Sequence, residues 1–195
     1  MSESPNEQPV LLTGGTGFLG TYLIPRLVET GYRVRALSRS PERQTDQLKR
    51  LGASEVVAGD VLDVLSLEKA LAGCQAVVHA AAMVSFWKPE AQQMRRINVG
   101  GTANIVNTAM AQDVQKLVHI SSIAAIGRTK AGETIDETKR WKESAYNARY
   151  GETKHEAELE VLRGVEEGLP AVMLNPGIIL GAADSGISSA FVEKG

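Results

Sequence analysis

Two sets of residues in this chain have the types and spacing to do chemistry. Gly14, Gly17 and Gly20 recur at intervals of three in "LLTGGTGFLG" (11–20), straight after an apolar run. Glycine costs conformational entropy, so placing it where a strand hands over to a helix answers a structural demand. In a dinucleotide-binding turn, one glycine permits the tight bend. A second lets the backbone approach a pyrophosphate, and a third lets helix and strand pack closely. The helix N-terminus then offers free N–H groups and its positive dipole end to phosphate. Tyr150 and Lys154 form the second set. They are four residues apart and share a face if the segment is helical. A free phenol, with a pKa of about 10, exchanges protons poorly at neutral pH. A nearby ammonium stabilises the phenolate and lowers that value. Tyr150 would then protonate a carbonyl oxygen as hydride reaches its carbon, or act as the base in reverse.

Alternating elements must hold these groups in place. "VLLTG" reads as a strand buried on both faces. Phe18 to Thr30 follows with helical spacing and ends at Gly31, with Pro25 inside it and expected to kink it. The second strand is "RVRALSR" (33–39). A helix follows with Ser40 as N-cap, Pro41 at its first position and Gly52 at its close. "EVVAGD" is a third strand, "SLEKALAG" a short helix and "QAVVHAAA" a fourth strand. Glu90 to Gln112 reads as one long helix despite Gly100 and Gly101; "KLVHISS" is the fifth strand. Tyr150 to Gly168 is a further helix and "PAVMLNPG" the sixth strand. This alternation predicts an α/β fold, a doubly wound parallel sheet in the order 3-2-1-4-5-6. Residues 127–149 are long, polar and irregular, as functional loops often are.

With 23% charged residues and a net charge of −2, the chain has no basic face to suit nucleic acid or a membrane surface. Cys74 is the only cysteine, so a reducing compartment is expected and an intrachain disulfide is excluded. The polar start "MSESPNEQP" is expected to be a disordered tail (1–8) rather than a secretory signal, which makes the cytoplasm the expected location. His79, His119 and His155 lack metal-ligand spacing, so no metal is expected. His79 and His119 are expected to be satisfied core or edge histidines. Phe86 and Trp87 are expected to wall a hydrophobic pocket or to cover the core. "DET" (136–138) is expected to be a solvated loop.

In order along the chain come "TGGTGFLG", "GDVLD" (59–63), "VVHAAA" (77–82), "INVGGT" (97–102), "ISS" (120–122), "YGETK" (150–154) and "LNPGIILG" (174–181). This series resembles the extended branch of the short-chain dehydrogenase/reductase superfamily, the NAD-dependent epimerase/dehydratase superfamily. "YRVRALSRSPER" resembles its dihydroflavonol-reductase-like members. Sugar-nucleotide members carry a Pro-rich stretch ending in Ser-Pro-Tyr, where this chain has "KESAYNARYGETK" without proline.

The resemblance implies Tyr150, Lys154, Ser122 and Asn98 as the catalytic set. Ser122 would hold the substrate oxygen, with Ser121 as its rival, and Asn98 would support a proton path to the lysine. Tyr146 is no alternative, because the residue four further on is Tyr150. The cofactor would lie on Gly14, Thr16, Gly17, Phe18, Leu19 and Gly20. Asp60 and Val61 would flank its adenine, and Ala80, Ala81 and Ala82 its middle. Pro176 and Gly177 would edge the nicotinamide, and Ser121, Tyr150 and Lys154 would also bind the cofactor. An NAD site places an acid at the end of the second strand. Here that position holds Ser38 and Arg39. Arginine binds a 2′-phosphate through a charge-assisted fork, and Arg43 lies one helical turn on. NADP(H) is therefore expected over NAD(H).

Residues 9–181 would form the dinucleotide-binding domain and 182–195 the start of a truncated substrate region. The expected function is NADP-dependent reduction of a ketone or aldehyde on a small molecule. Alternatives are an NAD-dependent epimerase or dehydratase of a sugar nucleotide and a non-enzymatic dinucleotide-sensing regulator. The resemblance also suggests a homodimer through the helices containing Asn98 and Tyr150.

Overall fold

A computed structural model describes residues 8–127, 134, 136, 138–139, 141–144 and 147–181. Six strands, β1 (Val10–Thr13), β2 (Val34–Ser38), β3 (Glu55–Ala58), β4 (Ala76–His79), β5 (Lys116–Ile120) and β6 (Ala171–Leu174), form one sheet. Their order is β3-β2-β1-β4-β5-β6, as expected, and every pairing is parallel. The helices are α1 (Phe18–Glu29), α2 (Pro41–Arg50), α3 (Val64–Leu71), α4 (Ala91–Arg95), α5 (Gly101–Ala111) and α6 (Arg149–Glu166). The order in which strands are added switches sides between β1 and β4, so the loops after these strands open a crevice at the carboxyl edge.

Strands β1 to β5 each feed two cores, while β6 feeds one through Ala171 and Met173 and leaves Val172 and Leu174 exposed. Leu11, Val77 and Leu117 point to one side, with residues of α3, α5 and α6. Val10, Leu12, Val34 and Val78 point to the other, with Ile24 and Leu48 from α1 and α2. Burial on both faces explains why the strands read as continuous apolar runs. Each fully buried leucine, such as Leu11 or Leu12, contributes about 1.5–3 kcal/mol. Gln8, assigned to the tail by sequence, already accepts a hydrogen bond from Gln75 Nε2 at 2.6 Å.

Helix boundaries follow local chemistry. α1 runs through Pro25 as one element, and Gly31 (φ 90°) lets Tyr32 N–H bond back to the Leu27 carbonyl at 3.0 Å. α3 starts two residues earlier than expected, because Asp63 caps it by accepting from Leu65 and Ser66 N–H. The long helix across 90–112 is continuous but changes register. Arg96–Gly100 is a π segment, with Gly101 N–H shared between the Arg96 and Ile97 carbonyls.

Gly101 is required by contact. A Cβ there would lie 2.8 Å from Val61 Cγ2. Helix propensity alone favours alanine over glycine by about 1 kcal/mol, whereas overpacking a core costs about 1–3 kcal/mol. Gly101→Ala is therefore expected to lower the urea midpoint. A raised midpoint would mean that Val61 moves aside and that the contact does not select glycine.

Candidate active site

The glycine turn is folded onto the end of β4. Gly14 has φ 76°, and a Cβ on it would lie 2.7 Å from the Ala80 carbonyl carbon and Ala81 nitrogen. Gly17 N–H closes the turn on the Gly14 carbonyl at 3.0 Å. A Cβ on Gly20 would lie 2.6 Å from Gly15 Cα, so the first turn of α1 packs directly on the loop. Gly17 caps α1 without a side-chain hydrogen bond, which leaves N–H groups at the helix N-terminus for an anion.

Beside this turn lies a cavity of about 1020 Å³. Of the residues expected to bind a cofactor, Gly14, Thr16, Gly17, Arg39, Asp60, Val61, Ala80, Ala81 and Ala82 line it. Phe18, Leu19, Gly20, Arg43, Ser121, Tyr150, Lys154, Pro176 and Gly177 are not among its lining residues. Gly20 instead backs the turn, and Arg43 is exposed on α2. Asp60 is held by its own turn, with Oδ1 accepting from Leu62 N–H at 2.9 Å. Gln44 was not foreseen. It lines the cavity next to Arg39 and accepts a hydrogen bond from the buried Ser38 hydroxyl.

The second set of residues meets where β5 ends. Ser122 follows that strand, and its hydroxyl, which accepts from Ala124 N–H at 3.2 Å, lies near enough to the Tyr150 phenol to favour its charged form. Lys154 lies one turn along α6, 2% exposed, and donates from Nζ to the Ile120 carbonyl at 2.8 Å. Burial lowers its pKa to about 8, and the Glu158 carboxylate opposes that shift. The expectation that Tyr150 would be depressed is corrected. Burial raises its pKa, and the nearby Ser122 hydroxyl only partly offsets this.

Asn98 lies in the π segment. Its side chain accepts from Met83 N–H at 2.8 Å, donates to the Met83 carbonyl at 2.9 Å and donates to Thr153 Oγ1 at 3.0 Å. It thus reaches the neighbour of Lys154 rather than Lys154 itself. Ser121 donates to Glu158, and Asn175 Nδ2 donates both to Glu158 and to the Ser122 carbonyl. Glu158 therefore ties α6 to the loops after β5 and β6. Its position four residues beyond Lys154 was the available signal for it.

Other expectations are revised. His79 is satisfied by Thr13 and Thr102. His119 is not: both its ring nitrogens are buried without a partner among the described residues. Phe86 and Trp87 are 67% and 66% exposed, so they do not cover the core. Among the described residues no group of side chains could hold a metal, and no helix is long and apolar enough to cross a membrane. Asp136 and Thr138 are exposed and bonded to each other. Residues 1–7, 137, Tyr146 and 182–195 lie outside the described residues.

The 3-beta hydroxysteroid dehydrogenase/isomerase family matches residues 11–194. A Synechocystis sp. protein bearing the name of a dihydroflavonol 4-reductase is 38% identical over 173 residues, covering 89% of this chain and 50% of its own. A Mycobacterium tuberculosis protein named 3 beta-hydroxysteroid dehydrogenase/Delta 5-->4-isomerase is 33% identical, covering 90% and 48%. A solved short-chain dehydrogenase/reductase superfamily protein from Agrobacterium tumefaciens, with bound NAD, has a TM-score of 0.72 and 26% identity, covering 85% and 48%. The chain thus spans about half the length of the curated relatives it matches. With its sheet order, glycine turn and family match in agreement, the chain belongs to the 3-beta hydroxysteroid dehydrogenase/isomerase family of extended short-chain dehydrogenases/reductases.

Proposed function

We propose that this chain carries the cofactor half and the proton-transfer residues of an NADP(H)-dependent reductase acting on a ketone or aldehyde of a small molecule. The observation that carries this reading is buried Lys154, bonded to the Ile120 carbonyl at the end of β5, with Tyr150 one turn away on α6 and Ser122 directly after that strand. The cavity residues fit the cofactor. A Cβ on Gly17 would have only the Gly14 carbonyl, at 3.3 Å, near it, so backbone is open to a pyrophosphate at a helix N-terminus. Arg39, exposed on the cavity wall, suits a 2′-phosphate. Asp60 and Val61 would take the adenine side, and Pro176 and Gly177 the nicotinamide edge. When bound, the cofactor supplies the hydride.

Ser122 would hold the substrate oxygen by donating to it, and Tyr150 would deliver the proton to that oxygen. Lys154 keeps positive charge on the same helix face. Glu158 helps to keep it protonated, and Asn98 braces the helix through Thr153. A homodimer through the helices containing Asn98 and Tyr150 is part of the reading, supported on α6 by exposed Leu159, Leu162 and Val165. So is a cytoplasmic setting.

Replacing Tyr150 by Phe should reduce turnover by about 10²–10⁴-fold, the range for losing a general acid, while the thermal shift with NADPH persists. Unchanged turnover would remove Tyr150 from the mechanism. In paired titrations NADPH should stabilise the protein more than NADH, by mass action on the folded state. Arg39→Glu should reverse that order; a wild-type preference for NADH would overturn the cofactor assignment.

Lys154 gives a test that needs no substrate. Its folded pKa of about 8 lies below the ordinary 10.5, so between these values the unfolded chain binds more protons. Stability should then rise with pH from about 8 to about 10.5, and Lys154→Met should flatten that rise in denaturant titrations. An equally steep rise in the variant would show that Lys154 is not the group responsible.

A further inference from the structure

His79 ends β4 at 1% exposure and sits in an unbroken chain of hydrogen bonds. Ala81 N–H donates to Thr13 Oγ1 at 3.1 Å. Thr13 Oγ1 lies 2.7 Å from His79 Nδ1, and His79 Nε2 lies 3.1 Å from Thr102 Oγ1. Thr102 Oγ1 donates to the Asn98 carbonyl at 2.6 Å. The Asn98 end fixes the direction of the whole chain, and the Ala81 end is compatible with it. A peptide N–H can only donate and a carbonyl can only accept. Thr102 gives its one proton to Asn98, so its oxygen must accept from His79, and Nε2 carries the hydrogen. In a neutral ring Nδ1 is then an acceptor, and Thr13 donates to it. Burial, with Lys154 nearby, lowers the His79 pKa to about 3, which keeps the ring neutral.

The two ends of this chain are functionally placed. Ala80, Ala81, Ala82 and Met83 line the cavity, and Asn98 belongs to the π segment. Asn98 holds Met83 through its side chain and Ala81, by way of the relay, through its carbonyl. The wall is therefore fastened twice to one residue. It has little room to move towards the turn, since an added Cβ on Gly14 would meet it at 2.7 Å.

We propose that His79, as its neutral Nε2–H tautomer, is a positioning residue that fastens the Ala80–Met83 cavity wall to the Asn98 turn and thereby sets how tightly the dinucleotide is held. The affinity part rests on the cofactor reading above; the tautomer does not. His119 is an internal control. It lies opposite His79 in register, with ring centroids 5.3 Å apart, but its nitrogens have no partner among the described residues.

The tautomer is read by ¹⁵N-histidine NMR of the 195-residue chain. The expected pattern is Nε2 protonated and Nδ1 bare, unchanged between about pH 5 and 8. A proton on Nδ1, or titration in that range, overturns the proposal. Thr102 does not line the cavity, so it tests the relay without touching a ligand there. Thr102→Val should weaken NADPH binding by about fivefold to tenfold, the scale of one net hydrogen bond. Thr102→Ser should restore it, and His119→Met should leave it unchanged. Adding Thr13→Val to a chain already broken at Thr102 should weaken binding by less than Thr13→Val does alone. If wild type binds NADPH and Thr102→Val binds it equally well, the positioning role falls and the cofactor reading stands. If wild type binds neither NADPH nor NADH, both fall.

Discussion

The contact between the Gly14 turn and the first peptides after β4 sets the geometry of everything around it. β1 and β4 are neighbours, and the turn leaving β1 lies against the chain leaving β4 with no side chain between them. That approach needs positive φ at Gly14 and no Cβ, two demands that only glycine meets together. It directs the N-terminus of α1 at the crevice and makes the Ala80–Met83 segment a wall rather than a free loop. The packing of Gly20 on Gly15 fixes how far the helix start can retreat from that crevice.

A second constraint runs through the side of the sheet covered by α5 and α6. Thr13, His79, Asn98, Thr102, Thr153 and Lys154 are all buried there, beside a largely aliphatic layer. Buried polar groups are costly unless bonded. These are bonded in a way that joins strands to helices: His79 to Thr102, Asn98 to Thr153, and Lys154 to the Ile120 carbonyl. The π segment is part of the same arrangement, since it carries both the side chain and the carbonyl of Asn98 used by this network. His119 and Thr108 are exceptions, buried with side-chain polar atoms that have no partner among the described residues, and burial pushes the His119 pKa down.

Much of this was legible from residue types. The strand order followed from alternation and handedness, and the turn from glycine spacing in its β-α setting. Strand ends were read too long, because Gly59 and Ala80–Ala82 continue the apolar composition after ladder pairing has stopped. The cap at Asp63 was missed because it fell inside a motif read as cofactor contact. The change of helical register at Arg96 has no compositional mark, and the reason for Gly101 is Val61, forty residues away in sequence. The direction of the Tyr150 shift was misread for a related reason. Spacing reveals the ammonium beside a phenol, but burial depends on the whole fold and here has the larger effect.

α6 shows how these constraints converge on one element. Tyr150, Lys154 and Glu158 are successive i,i+4 neighbours, so one stripe of the helix carries a phenol, an ammonium and a carboxylate. The middle group is the most buried and the most costly. A single hydrogen bond to Ile120 does not restore its ordinary pKa, and Glu158 offsets only part of the burial. A hydrophobic residue at position 154 would fit the surrounding core better, so folding stability alone does not account for a lysine there. The Tyr150 phenol lies one turn away on the same stripe, where a buried positive charge is little screened by water. Glu158 then serves two needs at once, holding the ends of β5 and β6 through Ser121 and Asn175 while keeping a negative charge within reach of Lys154.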